Sequence, residues 1–124
     1  MVSFNEWAGF EPALVRPGVT RVEITIKARH LNRAGTVHGG FLMTLLDSLM
    51  GYAATSTLEE RQPRLATSRM TTQFLEAASG GQLIGEGRVV SGNGSYLLTS
   101  GELRDGDGRL IATAQGQFTR LRQA

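Results

Sequence analysis

The chain has 124 residues, 40% hydrophobic content and a formal net charge of +2, which is enough apolar material for a compact core and too little net charge to keep it unfolded. It contains no cysteine, which excludes disulfides, thiolate catalysis and Cys-ligated metal sites and makes a cytoplasmic location the expectation. Its arginines are scattered from Arg16 to Arg122, and its aromatics are five Phe, two Tyr and one Trp. The clustered basic stripe with stacking rings of a nucleic-acid binder is therefore missing, and no nucleic-acid partner is expected.

The N-terminal stretch carries acidic residues and lacks a basic start followed by an unbroken apolar run, so it does not read as a secretory signal. Residues 10–16 form a candidate short strand, turned by Pro17-Gly18. Next, Val22, Ile24, Ile26 and Ala28 alternate with Glu23, Thr25, Lys27 and Arg29, the period of a strand with one buried face. From Phe41 the period changes. Phe41, Leu42, Leu45, Leu46, Leu49, Met50 and Ala53 fall at helical spacing, which predicts a helix to about residue 57 with Gly39-Gly40 at its start. This apolar run is short for a membrane span and is interrupted by Asp47, so no membrane partner is expected.

Four further strands are predicted over residues 65–75, 83–91, 96–104 and 109–121. They are separated by Ala78-Ser79-Gly80-Gly81, Gly92-Asn93-Gly94 and Asp105-Gly106-Asp107-Gly108, turn chemistry that suits antiparallel hairpins. No composition shift, linker or internal repeat divides the chain. The expectation is a single α+β domain over residues 1–124, an antiparallel β-sheet around one long α-helix.

Asp47 is the informative residue. It is the one charged side chain in the helical stretch, and a carboxylate drawn toward a core costs stability unless it is paired, hydrogen-bonded or chemically employed. Apolar side chains cover roughly 220° of the helix circumference at 100° per residue. The remaining arc holds Thr44, Asp47, Ser48, Gly51 and Thr55, with none of the Lys, Glu or Arg that a water-facing helix displays. One helix face is therefore expected to lie on the sheet and the other against a second chain.

The string Asn32-x-x-Gly35-x-x-His38-Gly39-Gly40, Asp47 nine residues after that His, and Gly51-x-Ala53 resemble the hotdog-fold acyl-CoA thioesterases of the PaaI-like, phenylacetate-pathway group. The segments over residues 67–75, Gly81-Gln82-Leu83 and 107–118 are similar to the same pattern, so the resemblance covers nearly the whole chain. It implies a hotdog fold and hydrolysis of an acyl-CoA to a carboxylic acid and free coenzyme A, with no cofactor and no metal. Position by position, it makes Asp47 the general base or nucleophile and Gly39 the backbone donor that polarises the thioester carbonyl. His38 and Asn32 stand beside Gly39, Thr67 helps position water, and Gly40 and Ser68 are substrate-contact candidates. A homodimer, or a homotetramer built as a dimer of dimers, is the implied assembly.

Elementary chemistry supports those roles separately. Thioester hydrolysis develops negative charge on the carbonyl oxygen, and a helix N-terminus presents free N–H groups and a positive dipole end to receive it. With no Cys and two His, a carboxylate is the group best able to take a proton or attack. Gly39 and Asp47 are nevertheless eight residues apart, about 12 Å along one helix, and cannot both meet one carbonyl carbon. A two-fold dimer resolves this if Gly39, His38 and Asn32 of one subunit face Asp47 and Thr67 of the other.

Each candidate has a plainer role open to it. His38 can be a helix-start histidine making one backbone hydrogen bond, Asn32 a turn former before Gly35, and Thr67 an ordinary strand threonine for which Ser68 is the one-residue alternative. His30 is read as structural or solvent-facing. Where similar thioesterases carry Gly-Arg or Gly-Lys before the fifth strand, this chain has Asn93-Gly94-Ser95, so no phosphate contact is carried over to that loop. Arg64 and Arg88 are the remaining phosphate candidates. The competing function is a non-catalytic acyl-CoA-binding module, a sensor or scaffold, which would gain nothing from a carboxylate at the thioester.

Overall fold

The computed structural model describes residues 3–60 and 63–121; residues 1–2, 61–62 and 122–124, which bound or interrupt the expected 1–124 span, lie outside. Helix α1 (Phe4–Ala8) precedes strands β1 (Ala13–Arg16) and β2 (Val19–Thr25). A 3-10 turn (Ala28–His30) then leads into the long helix α2 (Gly39–Ser56). Strands β3 (Leu65–Phe74), β4 (Gln82–Gly92), β5 (Tyr96–Asp105) and β6 (Leu110–Arg120) follow. All strand pairs are antiparallel, in the order β1-β2-β4-β5-β6-β3, and α2 packs across the middle of this six-stranded sheet.

The core is the seam between α2 and the sheet. Leu45, Leu46, Leu49 and Met50 are fully buried from the helix side, against Leu83, Leu103 and Ile111 from the strands. Close approach is set by small residues on β4. Thr20 on β2 lies opposite Gly87 on β4, and its hydroxyl donates to the Leu49 carbonyl at 2.6 Å. A Cβ at Gly87 would sit 2.7 Å from the Leu49 carbonyl carbon and oxygen, where backbone cannot yield cheaply. Gly87→Ala is accordingly expected to lower the unfolding free energy by about 1–3 kcal/mol, the range for an overpacked core. Urea denaturation reads this directly, and unchanged stability would mean that the helix is free to ride higher on the sheet.

Several boundaries differ from the sequence expectation. The first strand begins at Ala13 rather than residue 10, because Phe10 is buried as an anchor for α1, its ring edge-on to Phe41 with centroids 6.1 Å apart. Helix α1 itself was not expected: five residues are too few to show a period. Its caps were nonetheless written in the chain, since the Ser3 hydroxyl accepts from the Glu6 amide and Gly9 closes the turn at φ +88°. The second strand occupies Val19–Thr25 and not residues 22–29, the chain leaving the ladder into the 3-10 turn once Ile26 has bonded to Gly81.

His30 is buried, which decides between its two expected placements in favour of the structural one. Its Nδ1 accepts from the Lys27 amide at 2.9 Å, which leaves Nε2–H to donate to the Ala8 carbonyl at 3.0 Å. The ring stacks on Phe41 at 4.3 Å, so one histidine ties α1 to the start of α2.

Candidate active site

The second helix begins at a defined point. His38 is its N-cap, with φ −59° and ψ 129°, and its Nδ1 accepts the Gly40 N–H at 2.8 Å. The amides of Phe41 and Leu42 both donate to the His38 carbonyl, at 2.9 and 3.1 Å. The Leu42 bond is the first regular helical one, and the four N–H groups that the helix start leaves without such a partner are those of His38, Gly39, Gly40 and Phe41. The His38 amide donates to the His30 carbonyl at 2.8 Å, so three of the four are committed and only that of Gly39 makes no hydrogen bond among the described residues. Gly40 gives the imidazole room, because a Cβ there would lie 2.9 Å from the ring. With Nδ1 accepting, the neutral His38 ring carries its proton on Nε2 and can donate outward.

Asn32 sits in the turn that feeds this helix start. Its Oδ1 accepts from the Ala34 and Thr36 amides at 2.9 and 3.1 Å, and its Nδ2 donates to the Thr36 hydroxyl at 3.0 Å. The side chain thus builds the turn and retains one free N–H. Gly39 opens onto a depression formed with Val37, Leu42, Phe74, Leu75 and Ala78, in which Phe74 is 53% exposed.

Asp47 lies about two turns along α2 from this helix start. It is half-buried, and one carboxylate oxygen accepts from the Thr67 hydroxyl at 2.7 Å; the other has no hydrogen-bond partner among the described residues. Thr67 belongs to the edge strand β3, so the contact joins helix to sheet. The two share a second depression with Ser48, Tyr52 and Thr55 from α2, Leu65 from β3 and Asn5 from α1. Asn5 and Tyr52 were not anticipated from the sequence. Asn5 arrives because His30 and Phe10 together anchor α1, a long-range consequence that no local pattern announces. The arc of Thr44, Asp47, Ser48, Gly51 and Thr55 is half-buried in the single chain and carries no cation.

The candidates therefore fall into two groups within one chain. Asn32, His38, Gly39 and Gly40 gather at the helix start, while Asp47 and Thr67 pair two turns further on, about 12 Å away by helical rise. Ser68 joins neither group: its hydroxyl donates to the Gln117 carbonyl at 3.0 Å and accepts from Thr119 at 2.7 Å. Arg88 is held by Glu86 on the same strand, and Arg64 lies just before Leu65, exposed. Among the described residues no cluster of His, Asp and Glu is arranged to hold a metal ion, and no helix is long and apolar enough to cross a membrane.

A long helix laid across one antiparallel sheet, entered through His-Gly-Gly and carrying a carboxylate at its middle, is the hotdog fold of thioesterases. The structure of a conserved protein, PA5202, from Pseudomonas aeruginosa matches with a TM-score of 0.88 and 30% identity, covering 98% of this chain and 95% of that one. The Escherichia coli PaaI protein of the phenylacetic acid degradation operon has the same fold at 22% identity, with a TM-score of 0.85 and coverage of 96% of this chain and 84% of that one. In sequence, human acyl-coenzyme A thioesterase 13 is 30% identical over 105 residues, 84% of this chain and 73% of that protein. The family model of the thioesterase superfamily matches residues 34–112, which include the helix start, Asp47 and Thr67. The chain belongs to the thioesterase superfamily and is a thioester hydrolase.

Proposed function

We propose that this hydrolase acts on acyl-CoA, releasing a carboxylic acid and free coenzyme A at a site shared between two subunits. In this reading Asp47 is the general base or the nucleophile, and the Gly39 amide of the partner subunit polarises the thioester carbonyl. The observation that carries it is the separation within one chain of a carboxylate with a free oxygen from the one uncommitted amide of the helix start. Neither group has the other within reach, and a two-fold arrangement supplies both halves twice.

Each residue then has a defined task. Thr67 holds one Asp47 oxygen, which turns the other toward water or the carbonyl carbon. The Gly39 N–H, at the positive end of α2, receives charge as it develops on the carbonyl oxygen. His38 occupies the Gly40 amide and offers Nε2–H beside it, while Asn32 holds the approach turn. Gly40 thereby serves the site by admitting the imidazole.

The dimer also fits the surface. Strand β3 is an edge of the sheet with much of its length exposed, a place where unpaired backbone groups invite another copy, and it carries Thr67 beside the arc of α2 whose single charge is Asp47. A dimer of dimers is compatible with the same arrangement. The coenzyme A specificity follows the naming of the human relative, and a cytoplasmic site of action follows the cysteine-free composition.

The direct test is free-thiol release from a panel of acyl-CoAs of graded length. The wild-type protein is expected to liberate thiol from at least one member without added metal. Acyl-CoA that binds but releases no thiol from any member would overturn hydrolysis of CoA esters in favour of a binding module.

A further inference from the structure

We propose that Ser68 is a positioning residue, whose hydroxyl holds the β-bulge that delivers Thr67, rather than Ser68 itself, to Asp47. The inference rests on the proposed roles of Asp47 and Thr67 and extends them by one side chain.

The register of β3 against β6 supplies the argument. Thr67 lies opposite Phe118 and Arg69 opposite Gln117, so Ser68 is the extra residue of a bulge. In a regular strand, successive side chains point to opposite faces, and residues two apart share one. Met70 packs against the core beneath α2. Without the bulge, the residue sharing Met70's face at this level would be Ser68, and Thr67 would point away from the helix. Thr67 instead bonds Asp47 on α2, three residues from Met70. That odd offset is possible only because the extra residue resets the alternation.

A bulge disrupts the ladder locally, and a group it leaves without a ladder partner needs another. Ser68 provides one by donating to the Gln117 carbonyl at 3.0 Å, across the strand pair at the bulge itself. Its single proton being used there, it accepts from the Thr119 hydroxyl at 2.7 Å. Two hydroxyls on neighbouring strands thus fasten the irregularity on which the Asp47–Thr67 contact depends. Ser68 touches neither Asp47 nor the depression around it.

A double-mutant cycle tests this, read as kcat and KM for thiol release in Ser68→Ala, Thr67→Ala and the pair, with Ser68→Thr as the conservative rescue. Ser68→Ala is expected to lower kcat about tenfold at unchanged KM, the scale of effect when a catalytic group is slightly misplaced. Ser68→Thr should recover most of the rate, and Ser68→Ala should cost almost nothing further once Thr67 is already Ala. Thr119→Val, which removes only the outer hydroxyl, should fall between Ser68→Ala and wild type, and it carries the test if Ser68→Ala fails to fold. An unchanged rate in Ser68→Ala, an equal loss with and without Thr67, or a raised KM at unchanged kcat would each overturn the positioning role. If Thr67→Ala itself turns over normally, the role proposed for Thr67 falls together with this one; if only the Ser68 effects are absent, the Asp47–Thr67 reading stands.

Discussion

Asp47→Asn is expected to reduce thioester turnover by at least about a hundredfold while leaving the fold and the dimer intact, the loss typical of removing a general base or nucleophile. The substitution is nearly isosteric. An Asn side-chain oxygen still accepts the Thr67 hydroxyl proton that Asp47 accepts at 2.7 Å, so the link between α2 and β3 survives. What disappears is the ability of the remaining oxygen to take a proton from water or to attack a carbonyl carbon. Because the loss falls on the transition state, kcat should drop with little change in KM. Thiol-release kinetics beside a thermal melt make the separation, and near-normal turnover by a folded variant would remove Asp47 from the chemistry.

Gly39→Pro is expected to be similarly damaging for the opposite half of the site, costing about a hundred- to a thousandfold in kcat, the range for deleting one oxyanion donor. Proline is well suited to this position. Gly39 is the first residue of α2, where proline is favoured because that amide has no helical partner. The preceding His38, at ψ 129°, already has the extended geometry that a following proline demands. A Cβ at Gly39 would meet the Phe74 ring at 3.5 Å, an ordinary contact. Gly39→Ala is the control, since it adds the same Cβ and keeps the N–H. Alanine near wild type with proline inactive isolates the amide, whereas equal loss in both would trace the effect to crowding against Phe74.

Much of this arrangement was legible in the sequence, for reasons that also mark where legibility stopped. The helix follows from the period of Phe41, Leu45, Leu49 and their neighbours, and the β4–β5 and β5–β6 hairpins follow from the turns at 92–94 and 105–108. The turn expected at 78–81 makes no hairpin, because it carries the chain from β3, which pairs with β6 at the sheet edge, to β4, which pairs with β2 and β5. Spacing along one helix is enough to separate Gly39 from Asp47. Three things were not legible. Two adjacent glycines after His38 do not reveal which amide is free, because that depends on the rotamer by which the imidazole captures Gly40. Strand alternation cannot choose between Thr67 and Ser68, because the bulge that chooses is a property of β3 and β6 together. Asn5 reaches the Asp47 depression through the His30–Ala8 bond, a contact 22 residues apart in sequence.

The division of labour between subunits is tested most directly by mixing two inactive proteins. Asp47→Asn subunits keep Gly39, and Gly39→Pro subunits keep Asp47, so a heterodimer of the two contains one intact site and one doubly damaged site. Random reassociation of equal amounts makes half the dimers hetero, each with one working site of two, which predicts recovery of about a quarter of the wild-type activity. A mixture that stays at the mean of its parents after verified subunit exchange would contradict the shared site and place the whole reaction within one chain.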